Sequence, residues 1–236
     1  MYLLEGDMTM LRTFSSQFYS KYLWGIVAII MIPFFLITAI QISDVYRALE
    51  KEQRQDMKYN VQILMGVLTE LNVQVDKQKI TKEQAQNIGK EIINSVRFSQ
   101  DGYFWSITTQ GVMVQHPFAV DLNGKDLLKI PDPTGAKIWV EAINKTKNQG
   151  EGYITYQWSK PGSSLKMDKT SFVRIFEPWG WIVGTGVYHD DISILIKESI
   201  HDNVFIGVIT LLLSILIVSC ILHKNEVYFY EKFIKK

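Results

Sequence analysis

Two long apolar runs without charged residues constrain this chain more than any other feature of its sequence. Leu23–Ile42 has 20 residues and Val204–Leu222 has 19. A helix needs about 20 apolar residues to cross the hydrocarbon core of a bilayer, so both runs are predicted to be transmembrane helices. The first run exceeds the roughly 7–15 apolar residues of a cleaved signal peptide, and no small-residue cleavage site follows it. Both are therefore expected to be permanent spans.

The spans divide the chain into five parts, with both termini on the same side of the membrane. We expect a cytoplasmic tail, a transmembrane helix, an extracytoplasmic domain, a second transmembrane helix and a short cytoplasmic tail, at 1–22, 23–42, 43–203, 204–222 and 223–236. The orientation rests on the lysines of the last tail, because basic residues favour the cytoplasmic side. Arg47 and Lys51 beyond the first span oppose it, but long domains cross largely regardless of charge.

Charge and cysteine content exclude several classes of protein. The formal net charge is +1, so no strong attraction to nucleic acid is implied. The single cysteine, Cys220, lies in the second apolar run, so no intrachain disulfide can form. The 161 residues of the segment between the spans are enough to build a hydrophobic core without one.

Three helices are predicted in this segment. The first, Asp44–Leu71, has a polar first half that suits either a solvated face or pairing with a second copy of the chain. Thr81 and Gln84 form a capping box that begins the second, and Asp132 caps the third, with Pro133 in its first turn. Their predicted buried positions are Met57, Val61, Leu64, Leu68 and Leu71, then Ala85, Ile88, Ile92 and Val96, then Ile138, Trp139, Ala142 and Ile143.

Five strands follow from runs of β-branched and aromatic residues between turn signals. They are Tyr103–Thr108, Gly111–His116, Gly152–Trp158, Phe172–Phe176 and Trp181–Tyr188. The last two are joined by Glu177-Pro178-Trp179-Gly180 and are predicted to form an antiparallel hairpin. The predicted fold is α+β, with helices packed on a five-stranded antiparallel sheet.

Two glycines in the last strand have two possible explanations. Alternation places Gly184 and Gly186 on one face, together with Ile182 and Tyr188. They either allow close approach by a backbone, a side chain or a ligand, or they relieve a tight bend.

No catalytic motif is found, and we predict that the chain is not an enzyme and holds no metal or cofactor. His189-Asp190 and His201-Asp202 lack the spacing of a metal site and are expected to cap the last strand and the second apolar helix. Gly184-Thr185-Gly186 lacks the third glycine and the following helix of a dinucleotide-binding loop.

Five motifs, in order and spacing, resemble the single Cache domain of bacterial receptors. They are DGYFWSIT, GVMVQHP, LNGKDLLKIPDPTG, GEGYITYQWSKPG and FEPWGWIVGTGVYHDDI, within Asp44–Ile192. The resemblance implies a PAS-like sheet behind a long N-terminal helix, placed between two spans of the inner (plasma) membrane with the domain in the periplasm or outside. Such domains sense small molecules, often short carboxylates, in chemoreceptors, sensor histidine kinases and diguanylate cyclases.

The resemblance also implies a set of ligand-binding residues: Tyr103, Trp105, His116, Tyr156, Trp158 and Lys169. Converging strand faces would give an aromatic-walled pocket with one cation and a few donors, which suits a small anion. Taken singly, the aromatic residues also suit an ordinary sheet core, and His116 suits a structural histidine. Lys169 alone suits a solvated surface lysine, for which Asp168 is a neighbouring partner. The family more often has tyrosine at Phe172, so this chain lacks one hydroxyl there.

The expected function is that of a membrane-anchored sensor that binds a small organic acid and passes its state through the second transmembrane helix. The expected partners are the ligand, the membrane, a second copy in a homodimer and a separate or missing cytoplasmic signalling module, but no nucleic acid. The alternative is a membrane-anchored binding or scaffold protein that does not signal.

Overall fold

The structure, a computed structural model, describes residues 2–99, 101–129 and 138–233. These residues form the helices α1 (Tyr2–Asp76), α2 (Lys82–Ser95), α3 (Ile138–Gln149) and α4 (His189–Phe233). The strands are β1 (Arg97–Phe98), β2 (Gly102–Thr108), β3 (Met113–Gln115), β4 (Glu151–Ser159), β5 (Lys166–Phe176) and β6 (Trp181–Tyr188). Two short 3-10 helices lie at Val120–Leu122 and Glu177–Trp179.

The chain divides into two compact units. The first comprises Met1–Tyr46 and Leu195–Lys236. Both long helices, α1 from Gly25 onward and α4 over Ile200–Ile221, include segments long and apolar enough to cross a membrane. Within this unit Phe34 lies against Gly207, where a Cβ atom would come within 2.9 Å of the phenyl ring.

The second unit, Arg47–Ile194, holds the antiparallel sheet. The strand order is β1-β2-β6-β5-β4, and β3 pairs with the free edge of β2. Residues of α1 and α2 pack with one face of the sheet, and residues of α3 pack with the other. The α+β prediction is confirmed, with six strands where the sequence predicted five. The additional strand, β1, has two residues and is too short to show an alternating pattern.

Helix α1 buries the side chains that its periodicity predicts. All five positions of the predicted stripe are buried, namely Met57, Val61, Leu64, Leu68 and Leu71. They pack against sheet residues that include Phe104, Phe172 and Trp181. Whether the polar half of α1 pairs with a second copy stays a prediction.

The start of α2 was predicted correctly, and its buried face was predicted in part, since Ala85 is buried and Ile92 is partly buried. The backbone N–H of Gln84 donates to Thr81 Oγ1 at 3.1 Å, and the backbone N–H of Thr81 donates to Gln84 Oε1 at 2.8 Å. Ile88 and Val96 are 38% and 39% exposed, whereas Ala85, Gly89 and Ile93 are buried. The indoles of Trp179 and Trp181 lie 3.1 and 3.3 Å from where a Cβ atom of Gly89 would be. Both rings lie close to the helix at Gly89, which has no apolar side chain, so the apolar pattern identifies only part of the buried face.

Three further expectations concern helix ends. Asp132 and Pro133 lie outside the described residues, and α3 is described from Ile138 onward with its predicted apolar face buried or partly buried. His201-Asp202 does not cap a helix, because α4 already begins at His189 and runs through both residues. His189 instead contacts β5, with Nε2 2.8 Å from Thr170 Oγ1.

The hairpin of β5 and β6 is confirmed, and its glycines are explained by close approach. Gly184 lies opposite Trp105, and a Cβ atom there would come within 2.5 Å of the indole ring. A Cβ atom on Gly186 would meet Ser171 Oγ and would lie 2.7 Å from Lys169 Cε. The bend alternative is wrong, because β6 is an unbroken strand from Trp181 to Tyr188. The two glycines make room for the side chains of Trp105 and Lys169.

We predict that Gly184→Ala destabilises the domain by roughly 1–3 kcal/mol, because a methyl group cannot fit against the rigid indole of Trp105. The matched control is Gly66→Ala in α1, where nothing lies within 4 Å of the added Cβ atom. That change should stabilise the helix by up to about 1 kcal/mol. Urea unfolding of a soluble fragment, residues 43–200, measures both, and we expect this fragment to melt cooperatively. Equal effects of the two alanines would contradict the close-approach explanation.

Candidate ligand-binding site

A lysine lies buried in the middle of the sheet. Lys169 pairs in register with Tyr156 of β4 on one side and with Tyr188 of β6 on the other. Its side chain is fully buried, so the surface-lysine alternative is wrong. Asp168 does not hold it at the surface, because Asp168 is exposed and accepts a hydrogen bond from Gln157 at 3.1 Å.

The ammonium group of Lys169 contacts two phenol side chains. Nζ donates to Tyr103 Oη at 2.8 Å and lies 3.5 Å from Tyr188 Oη. It also lies 4.0 Å from the ring centroid of Tyr103 and 4.6 Å from that of Tyr188. Cation–π contacts of this kind replace part of the hydration that the ammonium loses on burial. An ammonium has three N–H donors, so at least one remains for a further acceptor.

Burial lowers the pKa of Lys169 to about 7, and the negative charge of Asp101 opposes this effect. In the described part of the chain no carboxylate forms an ion pair with Lys169. A buried charge normally has a paired counter-charge, and without one it loses its proton more easily. The site therefore lacks one negative charge at the position of the lysine.

His116 follows β3 and is held in one tautomer. Its Nδ1 accepts hydrogen bonds from the backbone N–H groups of Phe118 at 3.2 Å and Ala119 at 2.9 Å. Nε2 therefore carries the proton of the neutral ring and is a donor. Burial, and then the positive charges of Lys169 and Arg97, lower the pKa of His116 to about 3. The imidazole adds a neutral donor and no second positive charge at neutral pH.

The other predicted residues complete one contiguous cluster on the α3 face of the sheet. The ring of Tyr103 lies 5.2 Å from that of His116, which lies 5.7 Å from that of Trp158. Tyr156 Oη is 2.8 Å from Ser171 Oγ, and its ring is 6.2 Å from that of Trp158. Trp105 and Trp158 each contact Trp139 edge to face, at 5.5 and 5.7 Å. All six predicted residues thus belong to this cluster, and ligand contact by each stays a prediction.

Two members of the cluster have no site role in the sequence-based prediction. Trp139 was predicted only as part of the apolar face of α3, and Tyr188 only as the end of a strand. Among the described residues, the buried indole nitrogen of Trp139 has no hydrogen-bond partner, whereas the indole of Trp105 acts on the hydroxyl of Tyr156, whose pKa burial raises and this indole lowers. The alternation of β6 carried a signal for Tyr188, because it shares a face with Gly184 and Gly186.

Phe172 lies on the opposite side of the sheet. It packs with Met57 and Val61 of α1, and its ring contacts that of Tyr153 at 5.0 Å. The hydroxyl that the family more often has at this position would therefore not face Lys169. The departure at Phe172 does not change the polarity of the cluster.

The cluster offers donors and one positive charge to a bound molecule. The ammonium, the imidazole Nε2–H and the indole N–H of Trp139 are all donors. Burial raises the pKa of Tyr103 and of Tyr156, so both phenols stay protonated at neutral pH. Such a set matches a small molecule whose polar atoms are acceptors and whose charge is negative.

Sequence comparison identifies relatives among signalling proteins. The family model Single Cache domain 2 matches residues 49–201. The chain is 29% identical over 211 residues to the methyl-accepting chemotaxis protein McpP of Pseudomonas putida, covering 89% of this chain and 39% of that protein. It is 37% identical over 117 residues to the sensor histidine kinase MctS of Rhizobium johnstonii, covering 50% of this chain and 25% of the kinase. The chain thus matches only a minor part of the length of these relatives.

Solved structures agree with the sequence relatives. A Cache chemosensory domain described for its recognition of carboxylic acids has a TM-score of 0.58 and 36% identity, over 61% of this chain and 97% of that one. The periplasmic sensor domain of a chemotaxis protein also has a TM-score of 0.58, with 31% identity over 61% of this chain and 99% of that one. The resemblance found in the sequence motifs is confirmed, and the chain belongs to the single Cache domain family of ligand-binding sensor domains.

Proposed function

We propose that this chain senses a short carboxylate, bound as an anion by Lys169. The observation that carries the proposal is a fully buried ammonium without an ion-pair partner in the described residues. A carboxylate supplies the missing negative charge and accepts from several donors at once. A small acid buries little apolar area, so most of its affinity must come from charge-assisted hydrogen bonds.

Two further observations support this ligand class. The walls around the ammonium are aromatic, which suits a short apolar tail beside the carboxylate. The solved Cache domain that recognises carboxylic acids is 36% identical to this chain. The ligand class of that domain agrees with the chemistry of the Lys169 cluster.

We further propose that the domain is anchored in the inner membrane and faces the periplasm or the exterior. Its two long helices include apolar segments of spanning length, and its relatives are a chemotaxis receptor and a sensor kinase. Strand β6 continues directly into α4, so the ligand site and the second apolar segment share one continuous stretch of chain. Signalling would need a homodimer or a cytoplasmic signalling module as partner. A binding or scaffold protein would show no response of α4 to the ligand.

We predict that Lys169→Met weakens propionate binding by roughly ten- to a hundredfold, because charged hydrogen bonds contribute about 1.5–3 kcal/mol each. Methionine keeps most of the side-chain volume and removes the charge. Titration calorimetry on the full chain in lipid nanodiscs measures the dissociation constant. Lys166→Met is the matched control, since Lys166 is an exposed lysine at the start of the same strand. Equal, small losses in both variants would mean that Lys169 does not bind the acid.

We also predict that binding is linked to proton uptake. Because the pKa of Lys169 is about 7 in the empty site, a bound anion raises this pKa and the lysine takes up a proton at higher pH. Below pH 7 the ammonium is already charged, so affinity stays constant. Above it, affinity falls by up to about tenfold per pH unit. Calorimetry in two buffers of different ionisation enthalpy counts the protons, and a proton count of zero above neutral pH would contradict a role for Lys169.

The proposed layout predicts which added cysteines can be labelled from outside the cell. In a Cys220→Ser background, an impermeant thiol reagent should label Lys129→Cys and spare Lys236→Cys. Lys129 belongs to the sensor unit and its side chain is 87% exposed, so the reagent can reach it. Labelling of intact cells measures the pattern, with permeabilised cells as the control for reactivity at position 236. The reverse pattern would overturn the orientation.

A further inference from the structure

The junction of β6 and α4 contacts the cluster that contains Lys169. Strand β6 ends at Tyr188 and α4 begins at His189, with no loop between them. The hydroxyl of Tyr188 donates to the backbone oxygen of Ser159 at 2.7 Å. Two ammonium groups contact the ring of Tyr188, that of Lys169 at 4.6 Å and that of Lys160 at 5.3 Å from its centroid. One buried ring therefore connects the candidate ligand-binding lysine with a second lysine outside the cluster.

The second lysine is tied to the first turn of α4. Lys160 forms an ion pair with Asp190 at 2.9 Å, and the two side chains are 20% and 28% exposed. His189, which lies between Tyr188 and Asp190 in the sequence, contacts Thr170, the neighbour of Lys169 on β5. The three consecutive residues 188, 189 and 190 are thus each held by a different contact to the β4–β5 part of the sheet.

We propose that Tyr188 and the Lys160–Asp190 ion pair relay the occupancy of the Lys169 site to the start of α4. In the empty site the ammonium of Lys169 rests against the rings of Tyr103 and Tyr188. An anion that accepts hydrogen bonds from the ammonium of Lys169 draws the positive charge away from the Tyr188 ring. The cation–π contact with that ring is thereby weakened. Tyr188 then changes its position relative to Lys160, which holds Asp190. The junction thus has two arrangements, one with and one without the contact between Lys169 and Tyr188. The ligand favours the second arrangement, and such a difference in affinity is what a conformational response requires.

This inference rests on the proposed function in one respect, that the occupant is an anion. A double-mutant cycle tests the relay without any ligand, because Lys169→Met also removes the positive charge from Tyr188. The measurement is amide hydrogen exchange at residues 189–197 in the full chain in nanodiscs. Lys169→Met should change this exchange by roughly threefold or more, and the change should vanish in an Asp190→Asn background. Exchange in α3 is the internal reference for a global change in stability.

Two variants make the cycle specific. Lys160→Met breaks the same ion pair from its other side and must abolish the response as Asp190→Asn does. Lys58→Met breaks a comparable ion pair, between α1 and Glu151 of β4, which does not touch Tyr188. The response to Lys169→Met should survive in the Lys58→Met background. Additive effects of Lys169→Met and Asp190→Asn, or exchange that changes equally in α3, would overturn the relay.

Propionate separates this inference from the proposed function. If the relay is right, Asp190→Asn binds propionate with an affinity within a fewfold of the unmodified chain and loses the propionate-dependent change at residues 189–197. If Asp190→Asn binds and responds as the unmodified chain does, the relay is wrong and the sensor function stands. If propionate does not bind, the proposed ligand class is wrong, and the ligand-free cycle alone decides whether the junction is coupled to Lys169.

Discussion

The constraint on which the proposed ligand site depends is a buried ammonium that has no ion-pair partner among the described residues. Removing an ammonium from water costs several kcal/mol even after relaxation. A cation–π contact away from water offsets about 2 kcal/mol of this cost, and a charged hydrogen bond offsets about 1.5–3 kcal/mol. The part of the burial cost that these contacts do not offset lowers the pKa of Lys169 to about 7. The domain is therefore arranged so that an entering anion recovers free energy that the empty site lacks.

The sheet separates the proposed ligand site from the packing of α1 and α2. One face packs on α1 and α2 through apolar side chains such as Leu68, Phe104 and Val183. The other carries Tyr156, Lys169 and Tyr188 in one row across three strands, close to Gly186. Alternation along β5 keeps the two roles apart, since Lys169 and Phe172 point to opposite faces. A polar change on the Lys169 face can alter the ligand without disturbing the helices behind the sheet.

Sequence reasoning succeeded where the signal was local and failed where distant residues decided the outcome. The stripe of α1 and the hairpin of β5 and β6 follow from spacing and turn chemistry within a few residues. The buried face of α2 follows only in part, because Gly89 carries no apolar signal and packs against two indoles from the distant hairpin. The burial of Lys169 also lies beyond a single-residue argument, since lysine is almost always exposed. Only motif resemblance assigned it to a site, and only the sheet register places it between Tyr156 and Tyr188.

The neutral His116 and the weakly basic Lys169 together determine what the proposed ligand adds to the site. His116 holds no charge at neutral pH, whereas the pKa of Lys169 is about 7, so the protonation of Lys169 changes near that pH. Below that pH an entering carboxylate neutralises an existing ammonium. Above it the carboxylate enters with a proton, which is equivalent in charge to the uptake of the undissociated acid. In both cases the occupied site holds a neutral ion pair, which a buried aromatic environment accommodates better than a single charge.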